Sequence, residues 1–181
     1  MIDDPLKGSI AALEGEPSAE LQRLLTTFAQ RRLKAGLRVA GVVQISEPSS
    51  DCARRELALR DIVTGAEYPI VQNLGRESKA CSLDAGGVAA ACAAVLQAME
   101  RGVDVVVLSK FGKLEASGGG LLDCFTAAAG AGVPCVVGVA PALSAPLRDF
   151  AGEFLQRVDV SESALEDWWA ERLRVARAVI Y

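Results

Sequence analysis

Histidine is absent from this 181-residue chain, and several mechanisms go with it. Ser-His-Asp and Cys-His catalysis, a His-rich zinc site and an imidazole acid/base step are all excluded. Any chemistry rests on carboxylates, lysines, thiols, hydroxyls or a bound cofactor. Also missing is any run of the roughly 18 apolar residues that a membrane span needs. Met1-Ile2-Asp3-Asp4-Pro5 lacks the basic start and apolar stretch of a signal peptide. These absences predict a cytoplasmic protein with no membrane insertion. A basic excess is lacking too: the net charge of −4 offers nucleic acid no global field, so no nucleic-acid partner is expected. Cys52, Cys81, Cys92, Cys124 and Cys135 are odd in number and widely spaced, with no CxxC pair. That pattern fits reduced thiols better than a disulfide framework.

With no repeat, low-complexity tract or clear linker, one domain over residues 1–181 is expected, within the common range of about 100–200 residues. Apolar residues make up 51% of the chain, enough for a substantial core. Ser9 to Leu13 reads as a short strand and Glu14-Gly15-Glu16-Pro17-Ser18 as a turn. Ser18 then caps a helix with Leu21, Leu24, Leu25 and Phe28 at helical spacing. Gly36 ends that helix before a strand over 37–43. Residues 55–72 alternate loosely around Thr64-Gly65 and predict an inserted β-hairpin, followed by a polar loop over 73–83.

Asp84 precedes an Ala-rich helix, and a buried strand over 103–108 follows. A helix over 121–129, a strand over 132–139 and a helix near 146–154 come next. A final amphipathic helix, about 161–177, begins at Ser161 and carries Trp168 and Trp169. That tryptophan pair is expected to dock the helix on its own domain. Alternating strands and helices predict a three-layer α/β fold with a mostly parallel sheet.

The segment Val105-Val106-Val107-Leu108-Ser109-Lys110-Phe111-Gly112-Lys113 carries the strand into a glycine-rich loop. Ligands of parallel α/β folds bind where strand ends meet such loops. Lys110 and Lys113 supply positive charge there, and Ser117, Gly118, Gly119 and Gly120 offer backbone N–H groups close to a helix start. Together they are candidate ligands for phosphate or another oxyanion. The same residues also read as a solvated loop whose lysines serve solubility. Cys52 and Cys81 each stand beside basic residues, which lower a thiol pKa, so they are candidates for thiol reactivity or soft-metal binding as well as ordinary loop residues.

A phosphate loop needs glycines to curl around oxygens, a lysine to balance charge and Ser/Thr for Mg²⁺. Glu14, Gly15, Glu16, Pro17 and Ser18 form a degenerate version without the Gly-Lys pair, and its acids repel polyphosphate. At the later strand end, Ser109-Lys110 stands where a Mg²⁺-holding acid would be needed.

The first strand with its turn, Arg55 to Gly65, Val105 to Glu115 and Val133 to Val139 together resemble an uncharacterised bacterial family. That family is related to the P-loop nucleoside-triphosphatases first described from thermophiles, and its genes often lie near molybdate-transport genes. The match spans roughly residues 8–170, with Lys110-Phe111-Gly112-Lys113 and the Cys52 and Cys81 neighbourhoods its most specific part. The resemblance implies a P-loop NTPase-type sheet. The active enzymes carry an acidic pair before Ile-Gly-Lys-Met-Glu, matched here only by Gly112-Lys113-Leu114-Glu115. The expectation is therefore a protein with degenerate Walker motifs that binds an oxyanion or a nucleotide and hydrolyses poorly or not at all. Molybdate ranks ahead of nucleotide with Mg²⁺ as ligand, and molybdenum handling is the implied setting. The alternatives are an active nucleoside-triphosphatase in which Glu115 or Asp104 replaces the lost acid, a thiol-based metal binder, and an interaction scaffold with a protein partner or a second copy of itself.

Overall fold

Ser18 starts the first helix as its position predicts. In the computed structural model, which describes residues 6–16, 18–48, 55–72 and 82–178, β1 (Ile10–Glu14) leads into α1 (Ala19–Lys34). Ser18 Oγ accepts the Leu21 N–H at 3.1 Å and satisfies one of the helix's orphan donors. Behind the cap, Leu21, Leu25, Phe28 and Ala29 make the buried stripe. β2 (Val39–Pro48) runs well past the predicted end at Val43, because residues 42–48 pair antiparallel with β3 (Arg55–Asp61). Asp61 Oδ1 accepts the N–H groups of Val63 and Thr64 at 2.9 and 2.7 Å, turning the chain back into β4 (Glu67–Pro69).

β5 (Val71–Gln72) and β6 (Ser82–Leu83) form a separate two-stranded ladder, where polar composition predicts only loop for 82–83. Asp84 then caps α2 (Ala85–Glu100), accepting from Gly86 N–H at 2.9 Å. Gly87 is required by close approach, since a Cβ there would stand 1.7 Å from the Pro69 carbonyl oxygen. α2 is thereby pressed onto the hairpin. β7 (Val105–Phe111), the single turn α3 (Lys113–Ala116), α4 (Leu122–Gly130), β8 (Cys135–Val139), α5 (Ser144–Ala151), β9 (Leu155–Val158) and α6 (Glu162–Ala178) complete the order.

The main sheet runs β4-β3-β2-β7-β8-β1-β9, with the last five strands parallel. The hairpin thus extends the sheet at its β2 edge. On one face, α1 and α6 cover Ala11, Leu13, Val39, Val105, Val107 and Val136. On the other, α2, α4 and α5 cover Ile10, Ala12, Val106, Leu108, Cys135 and Val137. β7 carries one extra residue against β8: Leu108 pairs with Val137 but Phe111 with Val139. This bulge falls on Ser109-Lys110, the kind of irregularity that re-aims side chains beside sites.

α6 docks as the tryptophan pair predicts. Trp168 and Trp169 are buried against Phe28, and Trp168 Nε1 donates to the Gly8 carbonyl at 3.0 Å. Arg32, buried between the helices, lies over the Phe28 ring and pairs with Glu166. No helix among the described residues is long and apolar enough to cross a membrane.

At the amino end of β7, Asp104 accepts from the Arg38 backbone N–H at 2.7 Å and from its guanidinium at 2.9 Å. The side-chain hydrogen bond from Arg38, aided by its charge, holds the Asp104 carboxyl below the usual carboxylate range. A depressed folded-state pKa contributes stability that is present above the unfolded value, about 3.9, and lost as pH falls through the folded one. Asp104→Asn should therefore melt below wild type at neutral pH, with the gap closing in thermal scans below about pH 4.

Candidate functional site

Two adjacent strands whose following helices lie on opposite faces leave a crevice at their carboxyl ends. β1 and β8 are such a pair, because α1 covers one face and α5 the other. The crevice there has a volume of about 360 Å³. Its floor is Gly15, Ser109 and Gly138 to Ala140, one wall is Lys110 to Glu115, and Leu21 and Gln22 of α1 close the near side. Leu59 and Ile70 of the hairpin and Val88 of α2 form the far side.

Lys110 is half-buried and Lys113 exposed, and neither ammonium group has a hydrogen-bond or ion-pair partner among the described residues. The crevice therefore has two uncommitted ammonium groups on one lip. Ser117 to Gly120 do not join them. The Ser117 N–H donates to Lys113 and Leu114, that of Gly118 to Glu115 and that of Gly119 to Leu114. Residues 113–116 form a helical turn where the sequence predicts glycine-rich loop, and the N–H groups of residues 117–119 are consumed in ending that turn. Of the six expected anion ligands, Lys110 and Lys113 line the crevice, and Ser117, Gly118, Gly119 and Gly120 are not among its lining residues.

Glu115 is an architectural carboxylate. Only 6% exposed, it accepts the Gly112 N–H through Oε2 and the Leu121 N–H through Oε1, each at 2.8 Å. Both oxygens are thus engaged in closing the loop between α3 and α4. Gly120 makes room for this arrangement at φ +63°, since a Cβ there would lie 2.1 Å from Glu115 Oε1. Asp104 sits at the opposite end of β7, bound to Arg38, and cannot serve chemistry in the crevice. Neither acid stands free to replace a Mg²⁺ ligand.

The first loop departs from a phosphate loop further than its opening residues reveal. Counted from Gly15 at the spacing G-x-x-x-x-G-K-[ST], the glycine position falls on Glu20, the lysine on Leu21 and the hydroxyl on Gln22. Leu21 is buried. Gln22 donates to the Ser109 carbonyl at 3.0 Å and accepts from Gln44 N–H at 2.7 Å, tying α1 to β7 and β2. The sequence carried this signal in its spacing, although Gln22 is not a residue type that attracts notice. Ser18 spends its hydroxyl on the helix cap. Glu14 pairs with Arg157 at 3.2 Å, and Glu16 and Glu20 are exposed.

Cys52, Cys81 and Pro17 lie outside the described residues. The described thiols are core groups: Cys92 and Cys124 approach to 3.4 Å between α2 and α4, and Cys135 is buried in β8. Burial, followed by the neighbouring Cys92, pushes the Cys124 thiol up, and burial alone pushes up that of Cys135. Both stay protonated at neutral pH and are poor nucleophiles. Among the described residues, no group of three His, Cys, Asp or Glu is placed to hold a metal ion.

A family described as a protein of unknown function (DUF2478) matches residues 10–168. The molybdenum import ATP-binding protein ModC 2 of Bradyrhizobium diazoefficiens is 35% identical over 162 residues, covering 90% of this chain and 18% of that protein. The chain therefore spans less than a fifth of the curated relative it matches. The crystal structure of THEP1 from the hyperthermophile Aquifex aeolicus superposes with a TM-score of 0.57 at 14% identity, over 83% of this chain and 86% of that one. That likeness shows the fold: a three-layer α/β arrangement of P-loop NTPase type, which in this chain includes the hairpin at the β2 edge and the C-terminal helix α6.

Proposed function

The chain belongs to the DUF2478 family, and on that premise we propose that it binds a phosphate-bearing nucleotide or a tetrahedral oxyanion in the β1/β8 crevice without efficient hydrolysis. The observation that carries this reading is the pair of lysines, Lys110 and Lys113, whose ammonium groups have no partner among the described residues, on the lip of a crevice at the sheet's switch point. An ammonium pair facing a doubly charged oxyanion forms charge-assisted hydrogen bonds, the stronger kind. Molybdate and phosphate share shape and charge, so either meets the same lysines. The relative's name, a molybdenum import ATP-binding protein, supports both ligands and a setting in molybdenum handling.

The lack of hydrolysis rests on what the crevice does not supply. Leu21 stands where a phosphate-loop lysine would, Gln22 where a Mg²⁺-binding hydroxyl would, and Lys110 follows Ser109 where an acid would be needed. Phosphoryl transfer depends on such groups to position and neutralise the moving phosphoryl.

Isothermal titration with ATP, ADP, molybdate and sulfate, each with and without Mg²⁺, tests the reading. Saturable binding indifferent to Mg²⁺ is expected, with no phosphate released from ATP. Lys110→Ala with Lys113→Ala should weaken that binding by about tenfold or more. Mg²⁺-dependent turnover abolished in the double variant would instead establish an enzyme, and equal affinity in wild type and variant would place the anion elsewhere.

A further inference from the structure

We propose that the crevice is built for a heterocyclic ring carrying a single phosphate, with the ring against Leu59, Ile70 and Val88 and the phosphate at Lys110 and Lys113. This rests on the anion reading above and narrows its ligand class. Size is the first argument. About 360 Å³ falls in the range of small-molecule pockets, whereas a lone tetrahedral anion would leave room for several waters at about 30 Å³ each. Those waters would stand against hydrocarbon.

The far wall is the second argument. Leu59 comes from β3, Ile70 from just beyond β4 and Val88 from the first turn of α2, and all three face the crevice. They are brought together by the contact of Gly87 with Pro69 that presses α2 onto the hairpin. A pocket with apolar walls and charge at one end suits a ligand with an apolar body and an ionic head.

Charge limits the head to one phosphate. A monophosphate ester carries about −1.5 to −2 charge, which two ammonium groups match. A triphosphate would have to run on toward the first loop, where Glu16 and Glu20 are exposed and no lysine replaces Leu21. Like charges at that lip oppose a longer chain.

Titration of the full chain with AMP, GMP, adenosine, inorganic phosphate and ATP tests this without altering the core. AMP or GMP should bind at least about tenfold more tightly than inorganic phosphate and than ATP. Glu16→Gln with Glu20→Gln, both on the surface, should raise ATP affinity and leave that of the monophosphates unchanged. If phosphate binds as tightly as both nucleotides, the ring subsite is wrong while the anion reading stands. If ATP matches the monophosphates in wild type, the single-phosphate restriction is wrong. Should none of these bind, nor molybdate, the parent reading itself falls.

Discussion

Glu115→Ala should lower the melting temperature by roughly 10 °C. The carboxylate is buried and accepts two backbone N–H groups, from Gly112 and Leu121. Hydrogen bonds to a charged group contribute about 1.5–3 kcal/mol each, and stranded buried donors lose their hydration as well. Together they amount to about 4 kcal/mol, and a protein of this size shifts by about 2–4 °C per kcal/mol. Glu115→Gln should fall between, because the amide keeps one acceptor but turns an NH₂ toward the other donor. Gly120→Ala should repeat part of the loss, since its Cβ would displace the same carboxylate. The two substitutions share one mechanism, so the double variant should cost less than the sum of the singles. Differential scanning calorimetry of the wild type and the four variants decides the matter. A melting point for Glu115→Ala within about 2 °C of wild type would show that this carboxylate does not hold the loop.

Trp168→Ala is expected to cost a similar amount, about 3–5 kcal/mol, the range for deleting a large buried aromatic. Its ring packs on Phe28 and Trp169, and its Nε1 anchors the chain at Gly8 just before β1. Trp168→Phe separates the contributions: most of the packing stays and one hydrogen bond, about 1 kcal/mol, goes. Urea unfolding followed by tryptophan fluorescence, from Trp168 and Trp169 in wild type and from Trp169 in the variants, gives both values, and equal midpoints for wild type and Trp168→Ala would contradict the docking of α6. Leu165, Trp168 and Trp169 of α6 are already spent on the domain, so a protein partner would have to meet the helix through its other residues, the exposed Leu173 among them.

Much of this architecture was readable in the chain because it is written in local patterns. Ser18 and Asp84 cap where a polar side chain precedes an apolar stripe, and valine runs mark β7 and β8 as strands buried on both faces. β9 was not readable: Leu155-Gln156-Arg157-Val158 is short and half polar, and becomes a strand by pairing with β1. The length of β2 was hidden for the same reason, since its outer half depends on β3 across the hairpin. That Lys110 and Lys113 would line the crevice was legible in their place after a strand. The fate of Ser117 to Gly120 was not, because glycine-rich composition does not reveal whether N–H groups point at a ligand or back into the turn before them. Glu115 looked like a substitute catalyst on charge alone, and only burial and partners show it to be a clasp.

The extra residue in β7 makes parity change partway along one strand. Up to Leu108, even-numbered side chains face α2, and after the bulge the odd-numbered Phe111 does, where it meets Phe125 and Phe150. The position of positive charge on the lip is thus set by residue count and not by residue type. Point substitutions at 109 and 110 can rewrite the charge of the crevice while the aromatic cluster behind it keeps its place. Removing either residue would erase the bulge: Phe111 would keep its layer in an unbroken alternation opposite Val139, and the lip would lose one of its side chains. The lip is free to drift in chemistry because its geometry is fixed by arithmetic.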